Sequence, residues 1–487
     1  MSYKIYVPCD TTAVSIGADK VAAAISQQAQ AQGLAIELVR NGSRGLFWLE
    51  PMVEVETAQG RVAYGPVRMS DVASLFEAQF LEAGDHPLKL GLTEEIPFLK
   101  QQERLTFARV GVIDPLSVSD YAAHGGWAGL RNALTLTQAD IVSAVTVSGL
   151  RGRGGAAFPA GIKWQTVLTA QGEQKYIVCN ADEGDSGTFS DRMLMEGDPF
   201  CLIEGMIIAG VAVGATQGYI YLRSEYPRAF TTLKTAIANA KAAGFLGANI
   251  LNSGKAFELE VRLGAGAYIC GEKTALLESL EGKRGHPRLK PKGKEPEWFF
   301  GNPTVVNNVE TIASVPFIVN EGYGAYQMYG TKESPGTMLF GISGHVKKPG
   351  VYELPYGISM KKVIYELCGG ILNDKKLKAI IPGGSSVQIL KADEIEDITL
   401  DYESLKAHGS ALGTGGMIIM DEEVSIPLAM KNLFEFYHHE SCGQCTPCRE
   451  GTGWVDKILE RLLQGKGTQQ DIEILLDVCD MLNGKTI

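Results

Sequence analysis

The chain of 487 residues has no stretch of about 18 consecutive apolar residues, so it contains no candidate membrane span. The longest apolar run, Met206–Val213, is interrupted by Gly210 and is too short to cross a bilayer. An excess of positive charge is also missing. The net charge of −11 is spread along the chain, which argues against nucleic acid as the main partner. The N-terminal segment MSYKIYVPCD lacks the charged and apolar parts of a signal peptide and predicts a strand. We therefore expect a cytoplasmic protein.

A catalytic nucleophile is missing as well. The seven histidines are scattered, and no Ser or Cys lies in a nucleophile-elbow context. Nine cysteines in a long chain of this kind do not form a disulfide framework. Six of them are isolated, and we expect them to behave as small hydrophobic side chains. These six are Cys9, Cys179, Cys201, Cys270, Cys368 and Cys479. Hydride and electron transfer need no nucleophile, because a cofactor supplies that chemistry.

The length predicts several domains, since one hydrophobic core rarely serves so long a chain. Near the N-terminus the patterns follow a βαβ…ββα order, with a helix expected over residues 70–82, and this order is compatible with a thioredoxin-like fold. Further on, helices alternate with β-rich runs as in a layered α/β domain. Short strands around one helix then suggest a β-grasp module, and apolar residues at helical spacing a terminal bundle. The predicted segments are residues 1–95 (thioredoxin-like), 96–125 (linker or adaptor), 126–335 (α/β), 336–425 (β-grasp) and 427–487 (helical).

The sharpest motif is C-x2-C-x2-C at Cys442, Cys445 and Cys448. Three thiolates at this spacing can surround one corner of an iron–sulfur cubane, each binding a different iron, with the fourth ligand coming from elsewhere. Gly443 lets the backbone curl around a cluster, and Pro447 stiffens the turn. The alternative is a structural zinc site completed by one of two neighbouring histidines, His438 or His439.

A glycine-rich run, GLRGRGGAAFP at residues 149–159, matches the spacing of a dinucleotide-binding fingerprint. Its context differs, because the preceding residues 137–145 predict a capped helix rather than a strand. Such a loop can still hold a phosphate with its backbone N–H groups, and Arg151, Arg153 and Lys163 add positive charge. A plain turn is the alternative.

Polar residues follow the predicted strand Tyr176–Cys179, in the order Asn180-Ala181-Asp182-Glu183-Gly184-Asp185. The carboxyl ends of buried strands are where α/β folds bind ligands, and an amide with three carboxylates is suited to the hydroxyls of a ribityl or ribose chain. A solvated acidic loop is the alternative. Two later blocks, residues 268–274 and 302–308, place further polar groups beside glycine or proline.

Four motifs in order, GLRGRGGAAFPAGIKW, NADEGDSGTFSDR, AYICGEKTALLESLEG and SCGQCTPCREG, resemble those of the flavin subunit of respiratory complex I and its soluble relatives. The resemblance runs from about residue 105 to the end. It implies FMN in the α/β domain, NAD(H) stacked on the flavin, and a [4Fe-4S] cluster in the helical bundle. The implied FMN contacts are Gly152, Arg153, Gly154, Lys163, Asn180, Asp182, Glu183, Tyr268, Gly271, Glu272, Asn307 and Asn308. The implied NAD contacts are Phe158 against the adenine, Asp185, and Lys290 near the phosphates.

The presence of an N-terminal domain distinguishes one group of relatives in this family from another. Complex I flavin subunits lack a thioredoxin-like domain in front, whereas the beta subunits of soluble molybdenum-dependent NAD formate dehydrogenases carry one, as do diaphorase subunits of some NAD-linked hydrogenases. Many of those hydrogenase relatives have extra cluster cysteines, and the front domain here has only Cys9. The pair Asp185-Ser186 also resembles the soluble dehydrogenases, since complex I typically has Glu-Pro there. The resemblance therefore favours formate dehydrogenase, with the diaphorase subunit of an NAD-linked [NiFe] hydrogenase as the alternative.

Three positions depart from the family pattern. Lys273 stands where a second Glu is common, which reverses a charge beside the nucleotide and leaves NADP open as the acceptor. Gly293 stands where an aromatic residue is expected, within the basic stretch 290–294. The fourth cluster cysteine of the family follows a stretch like Gly484-Lys485-Thr486-Ile487, so the fourth ligand is expected beyond Ile487, with Cys479 as the alternative.

The resemblance implies a complete electron path. Formate would be oxidised at a molybdenum site in a separate alpha subunit, with a small [2Fe-2S] gamma subunit as a further partner. Electrons would reach the cluster of this chain one at a time, and FMN would pass a hydride to NAD+. A different class of function, a zinc-stabilised scaffold without enzymatic activity, is the remaining alternative.

Overall fold

A computed structural model describes residues 2–289 and 298–487 of the chain. Lys290 and Gly293 lie outside the described residues, so the predicted NAD contact at Lys290 and the expected aromatic position are not placed. Among the described helices, none is both long enough and apolar enough to cross a bilayer.

The front part of the chain folds around a five-stranded sheet with the order β2-β1-β3-β4-β5. Its elements are β1 (Tyr3–Tyr6), α1 (Thr11–Ser15), α2 (Ala18–Ala31), β2 (Ile36–Val39), β3 (Val53–Thr57), β4 (Gly60–Tyr64), α3 (Val72–Glu77) and β5 (Lys89–Leu92). The pair β1/β2 is parallel, and the other pairs are antiparallel. The apolar face of α2 packs on this sheet and buries Val21 and Ile25 beside Ile5. The observed order agrees with the predicted βαβ…ββα pattern.

The helix expected over residues 70–82 is wrong in its extent. The structure has α3 there, flanked by 3-10 turns at Met69–Asp71 and Phe80–Glu82. Gln79 and Ala83 adopt left-handed backbone angles, with φ of 55° and 59°, and such residues end a right-handed helix.

Residues 96–125, predicted to be a linker or adaptor, are packed. Phe98 lies in a core with Met52 of the front part and the third sheet described below. Phe107 and Ile113 are fully buried in the core of the central layer. This segment joins two cores rather than separating them.

The central sheet has four parallel strands in the order β8-β7-β6-β9. Its strands are β6 (Tyr176–Ala181), β7 (Gln217–Leu222), β8 (Glu258–Leu263) and β9 (Thr304–Asn308). The helices of this region are α4 (Pro97–Lys100), α5 (Val118–Ala123), α6 (Ala128–Ala133), α7 (Gln138–Val147), α8 (Ala160–Thr169), α9 (Ser190–Gly197), α10 (Pro199–Val213), α11 (Pro227–Ala242), α12 (Lys273–Leu280), α13 (Val309–Ala313), α14 (Val315–Glu321) and α15 (Tyr323–Gln327). Parallel strands need helical crossovers that cover the sheet, and α10 is buried along its whole length. The parallel arrangement brings the carboxyl ends of all four strands to one edge.

The third sheet has the order β11-β10-β14-β12-β13, with β10 and β14 parallel. Its elements are β10 (Thr337–Gly344), β11 (Gly350–Pro355), α16 (Met360–Lys362), a π-helical turn (Val363–Leu367), β12 (Leu377–Ile381), β13 (Leu390–Lys391), α17 (Tyr402–Ala407) and β14 (Gly416–Asp421). Short strands around a short helical segment are what the sequence predicts here.

Three helices follow, as predicted: α18 (Ile426–Glu440), α19 (Thr446–Leu463) and α20 (Gln469–Leu482). Their shared core is small and centres on Val455, Leu459 and Val478. The cysteine run lies at the junction of α18 and α19, where the sequence places it.

Candidate functional site

A cavity of about 310 Å³, called the polar cavity below, lies at the carboxyl edge of the central sheet. Asn180 at the end of β6 and Asn308 at the end of β9 are register partners, and both line it. The other predicted site residues that line the polar cavity are Arg153, Gly154, Glu183, Asp185, Tyr268, Gly271 and Glu272. Lining residues not singled out from the sequence are Gly155, Gly184, Thr188, Ser190, Asp191, Ile269, Glu310, Ser386 and Thr414.

The glycine-rich loop follows a helix, as the sequence indicates. Thr137 and Asp140 form the capping box of α7, and the loop after α7 is closed by a bridge between Arg151 and Pro159. Gly154 lies against the end of β9, and a Cβ there would be 3.2 Å from Asn308 Cβ. A ligand can therefore approach the backbone at this point, where a side chain would occupy the space.

Arg153 is turned into the protein rather than held free for a phosphate. Its NH2 donates to Tyr326 Oη at 2.6 Å and to the Thr337 carbonyl at 2.9 Å, which ties the loop to α15 and β10. Its Nε lies 3.7 Å from Glu310 Oε1 and has no hydrogen-bond partner in the described structure. Arg151 pairs with Glu403 in the third-sheet region, so it faces away from the cavity.

Lys163 and Asn307 meet behind the end of β9. Lys163 Nζ donates to the Val306 carbonyl at 3.1 Å, and Trp164 Nε1 donates to Asn307 Oδ1 at 2.9 Å. The amide Nδ2 of Asn307 is buried and has no partner among the described residues. Burial and the neighbouring Lys273 ammonium lower the pKa of Lys163 to about 8. These two residues lie next to the lining residues but are not part of the cavity wall.

Three carboxyl groups line the polar cavity: Glu183, which is half-buried, and Asp191 and Glu310, which are buried. Asp191 accepts from Asn308 Nδ2 at 2.6 Å and from the backbone N–H of Glu310 at 3.2 Å. Burial raises the pKa of Glu310 to about 8, although Arg153 opposes the shift. Burial, together with Glu183 and Glu310, raises the pKa of Asp191 well above its usual range.

Glu183 caps the helix that carries Asp191. Its carboxylate accepts from the backbone N–H groups of Asp191 and Arg192 at 2.7 and 3.0 Å, at the start of α9. The hydroxyl of Tyr226 donates to the same group at 2.9 Å. The left-handed backbone of Glu183, with φ of 39°, turns the chain sharply after β6.

Asp182 lies behind the wall that Gly184 and Gly271 form. A Cβ on either glycine would come within 3.1 Å of Asp182 Oδ2. Asn180 Nδ2 donates to the Gly271 carbonyl at 2.8 Å and fixes the same wall. Burial raises the pKa of Asp182 to about 7. Gly152, the remaining predicted residue of the loop, donates its N–H to the Phe158 carbonyl at 2.9 Å and does not line the cavity.

Of the two predicted NAD contacts that the structure describes, one lines the polar cavity and the other does not. Asp185 lines the polar cavity and accepts from Ser385 Oγ at 3.0 Å and Ser386 Oγ at 2.6 Å. Phe158 is outside the cavity wall, with 46% of its surface exposed, and its ring lies 5.8 Å from Lys163 Nζ. An exposed aromatic ring is available for stacking on a planar ligand.

A second cavity of about 250 Å³, called the cysteine cavity below, holds the C-x2-C-x2-C run. Cys442 and Cys445 come from the loop before α19, and Cys448 comes from its first turn. Gly443 has φ of 79°, which lets the loop curl back as the sequence predicts. Thiolates at a helix N-terminus are stabilised by the helix dipole.

The polar and cysteine cavities share a wall. Tyr268 and Ile269 line both of them. The backbone N–H of Tyr268 donates to Glu440 Oε2 at 3.0 Å, at the end of α18. Its ring lies 5.2 Å from that of Phe436 on the same helix. One layer of side chains therefore separates the two cavities.

The arrangement of the cysteines disfavours the zinc alternative. Within residues 2–289 and 298–487, no three His, Cys, Asp or Glu side chains converge closely enough to hold one metal ion. A cubane instead binds each thiolate to a different iron, so its ligands surround a volume. His439 is exposed and pairs with Glu440, and neither it nor His438 lines the cysteine cavity.

The alternative fourth ligand, Cys479, lies apart from the cysteine cavity. It is exposed on α20 and is not one of the residues lining that cavity. Ile487 does line it, and its backbone N–H lies 3.4 Å from Cys445 Sγ.

The residues present fit a flavin nucleotide and a cluster. Asn307 Nδ2 and Arg153 Nε, which have no partner among the described residues, are donors, while the carboxylates and Asn180 are acceptors. Gly154 leaves space at the backbone. Such groups suit the hydroxyls, carbonyls and phosphate of FMN. Three thiols around one cavity, with mostly apolar neighbours, suit an iron–sulfur cluster.

Some lining residues could not be singled out in advance. Asp191 lies within the motif NADEGDSGTFSDR, and its place in that motif could have predicted that it belongs to the site. Ser386 and Thr414 come from the third-sheet region, both more than 200 residues after Asp185, and nothing in their local sequence points to the cavity. Only the packing of two domains brings them there.

Comparison with known proteins agrees with this geometry. Residues 145–317 match the Nuo51 FMN-binding domain, residues 338–418 match the SLBB domain, and residues 428–487 match the NADH-ubiquinone oxidoreductase-F iron-sulfur binding region. FMN and a [4Fe-4S] cluster are therefore the cofactors of this chain, and the zinc alternative is not supported.

Curated relatives cover most of the chain. The F 2 subunit of NADH-quinone oxidoreductase from Rhizobium meliloti is 47% identical over 79% of this chain and 91% of its own length. The HndC subunit of NADP-reducing hydrogenase from Solidesulfovibrio fructosivorans is 45% identical over 79% of this chain and 78% of its own length. A crystal structure of an NAD+-reducing [NiFe]-hydrogenase in the air-oxidized state is 29% identical with a TM-score of 0.68, and covers 99% of this chain and 80% of that chain.

Proposed function

Because this chain belongs to the family of the complex I flavin subunit, which is the F-type subunit of NADH-quinone oxidoreductase, we propose that it exchanges electrons between NAD(H) and a partner subunit. It is an NAD(H)-dependent oxidoreductase subunit that carries FMN and a [4Fe-4S] cluster. The observation that carries the proposal is the wall of Tyr268 and Ile269, which the polar and cysteine cavities share. FMN in the first cavity and a cluster in the second would have this layer of side chains between them, an arrangement that favours direct electron exchange.

We assign the FMN contacts to the residues at the carboxyl edge of the central sheet. FMN, when bound, supplies both hydride transfer and single-electron transfer, and the cluster supplies single-electron transfer. Asn180, Glu183 and Asp191 offer acceptors to ribityl hydroxyls, while Lys163 and Asn307 offer donors at the end of β9. Gly154 and Asn308 line the backbone side of this cradle, and Gly152 supports the glycine-rich loop next to it through its hydrogen bond to the Phe158 carbonyl.

We assign the nucleotide to the open side of the same cavity. Asp185 contributes a carboxylate, and Phe158 contributes an exposed ring. Tyr268, Gly271 and Glu272 line the same cavity, and Asp182 lies behind Gly271. Burial raises the pKa of Glu310 to about 8 and that of Asp191 well above its usual range, which limits the repulsion between these two carboxyl groups and an anionic nucleotide.

The finer proposal is that formate is the electron donor. It rests on the front domain, in which Cys9 is the only cysteine, and on the Asp185-Ser186 pair. We propose a thioredoxin-like fold for residues 1–95 and a β-grasp fold for residues 336–425. The proposed partners are a molybdenum-containing alpha subunit and a small [2Fe-2S] gamma subunit.

A second candidate is the diaphorase subunit of an NAD-linked [NiFe] hydrogenase. The observation that favours it is coverage, because the hydrogenase structure matches 99% of this chain and so includes the front domain. Curated relatives cover 73–80% of the chain. The two candidates differ in the partner subunit and not in the cavities described here.

The core of the proposal is tested with purified protein reconstituted with FMN, iron and sulfide. We expect NADH oxidation with ferricyanide or viologen that depends on added FMN. Absence of such activity at full FMN occupancy contradicts the proposal.

The donor is tested on the native complex, purified through a tag on this chain. Formate-dependent NAD+ reduction and molybdenum in the preparation support formate dehydrogenase. Hydrogen-dependent reduction and nickel support the second candidate and contradict the first.

A further inference from the structure

Asp185 is held by another domain. It follows β6 of the central sheet, yet its two carboxylate oxygens accept from Ser385 Oγ at 3.0 Å and Ser386 Oγ at 2.6 Å. Both serines lie in the loop between β12 and β13 of the third sheet. The backbone N–H of Ser385 also donates to the Ser186 carbonyl at 3.1 Å, so the two loops are joined by main chain as well.

The backbone at Gly384 approaches the Asp185 carboxylate closely. Gly384, just before the two serines, has φ of 90°, and a Cβ there would lie 2.4 Å from Asp185 Oδ2. Any other residue at this position would collide with the carboxylate and adopt a strained backbone. The loop therefore packs closely on Asp185. Its residues Gly384, Ser385 and Ser386 are called the clamp below.

The hydrogen bonds of the clamp extend to α18, the helix that precedes the cysteine run. Tyr437 Oη donates to Ser385 Oγ at 3.0 Å. The direction of the bonds is set by chemistry: an ionised carboxylate only accepts, so Ser385 must donate to Asp185 and accept from Tyr437. Tyr437 is on α18 and lines the cysteine cavity. A continuous series of hydrogen bonds thus joins the cysteine cavity to a carboxylate in the polar cavity.

The clamp leaves Asp185 able to bind a ligand. A carboxylate offers about four lone-pair sites, and the two serine hydroxyls occupy one site on each oxygen. The backbone N–H groups of the same two serines also interact with the carboxyl and oppose the rise in its pKa that burial causes, and the group still lines the polar cavity. The serines fix the direction of the remaining lone pairs and so reduce the entropy lost when a ligand orients the group.

We infer that Ser385, Ser386 and Tyr437 are positioning residues that set the orientation of Asp185 for the nucleotide and couple it to the position of α18. This inference rests on the proposed function, in which Asp185 contacts NAD(H). Displacement of α18 by a change at the cluster moves Tyr437, then Ser385, then Asp185. Reciprocally, nucleotide binding at Asp185 acts on the surroundings of the cluster.

The test compares Ser385→Ala, Ser386→Ala and Tyr437→Phe in the reconstituted full chain. We expect the KM for NADH to rise about tenfold in each serine variant and about threefold in Tyr437→Phe, with kcat towards ferricyanide within about twofold of wild type. FMN content stays at the wild-type level. Ser386→Thr, which keeps the hydroxyl, restores the wild-type KM. Ser343→Ala and Tyr365→Phe, which remove hydroxyls elsewhere in the third-sheet region, are the matched controls and leave the KM unchanged.

A second measurement, the midpoint potential of the cluster with and without NAD+, tests whether the nucleotide site is coupled to the cluster or Tyr437 only packs against the clamp. In wild type, saturating NAD+ shifts the midpoint potential of the cluster, and in Tyr437→Phe that shift is at least halved. An unchanged KM in Ser386→Ala at full FMN occupancy overturns the clamp, and an unchanged shift in Tyr437→Phe overturns the coupling. If wild type itself fails to oxidise NADH, the proposed function fails. If wild type is active and the variants match it, only this inference fails.

Discussion

The polar cavity and the cysteine cavity share two wall residues but are assembled in different ways. The polar cavity takes residues from strands β6 and β9, from α9, from the glycine-rich loop and from the third-sheet region. The three cysteines of the other cavity come from one run of seven residues, 442–448. A site of the first kind depends on the whole fold, whereas one of the second kind depends on a local turn.

The two cavities also differ in charge and burial. Carboxyl groups of the polar cavity, such as Asp191 and Glu310, are almost fully buried, and burial raises their pKa values. The three cysteines are only half-buried, beside a helix N-terminus and mostly apolar neighbours. The first environment suits a polar organic cofactor, and the second suits thiolate ligation. Variants in one cavity should therefore leave the other cofactor in place.

The largest expected effect comes from the cysteine cavity. Cys445→Ser removes one of three thiolate ligands, and a serine hydroxyl is a poor ligand for iron. We expect the [4Fe-4S] absorption and the cluster iron to be lost, while FMN stays bound at the wild-type ratio. Visible spectra with iron and flavin analysis of the reconstituted protein measure both.

Cys479→Ser is the matched control for that variant. Cys479 is exposed on α20 and lies outside the cysteine cavity. We expect this variant to keep its cluster. Loss of iron in Cys479→Ser would make this residue the fourth ligand, and loss of FMN in Cys445→Ser would mean that the two cavities are not independent.

A variant in the polar cavity is expected to give the opposite result, in which FMN binding is weakened and the cluster is kept. Gly154→Val places two methyl groups at the loop, where even a Cβ would be 3.2 Å from Asn308 Cβ. We expect FMN affinity to fall at least about a hundredfold, since overpacking at a close contact costs a few kcal/mol, with cluster iron unchanged. Fluorescence titration of the apoprotein with FMN measures the affinity.

Gly324→Val controls for the valine itself. Gly324 lies in α15, and a Cβ there meets nothing within 4 Å. Equal losses of FMN affinity in the two variants would show that general destabilisation, rather than the cradle at Gly154, is responsible.

The difference between the cavities also explains how far sequence reasoning reached. The cysteine run at the junction of two helices and the capping box of Thr137 and Asp140 are local patterns, and the structure has both where the sequence predicts them. Of the two asparagines at the end of β9, Asn308 lines the polar cavity and Asn307 does not. Arg153 belongs to an equally clear motif, but its guanidinium faces α15 and β10, because a buried charge takes partners wherever packing supplies them.

The residues that were missed depend on contacts between distant segments. Ser386 reaches Asp185 across 201 positions of sequence, and no local signal encodes that approach. The expected helix over residues 70–82 is interrupted at the left-handed residue Gln79, which the hydrophobic pattern of the segment does not reveal. The linker prediction for residues 96–125 followed from their polarity, although a few apolar side chains there, such as Phe98 and Phe107, anchor the segment in two cores.

The smallest expected effect is a pH dependence of FMN binding, which comes from Lys163, a residue next to the wall of the polar cavity. Burial and the neighbouring Lys273 lower the pKa of Lys163 to about 8. Below this pH the lysine is protonated and can attract the FMN phosphate, and above it the free protein loses that charge. The phosphate itself stays a dianion over this range, because its second pKa is about 6. We therefore expect the affinity of the apoprotein for FMN to be highest below pH 8 and to fall by up to about tenfold from pH 8 to pH 9.

Lys163→Arg should remove that dependence, because a guanidinium stays charged throughout the range. Lys163→Met should bind FMN more weakly than wild type at pH 7 and also show a flat profile. Cluster content should not change with either variant, since Lys163 does not line the cysteine cavity. A wild-type slope that persists in Lys163→Arg would assign the titration to another group, and the carboxyl groups of Asp182 and Glu310, with pKa values raised to about 7 and about 8, would be next to test.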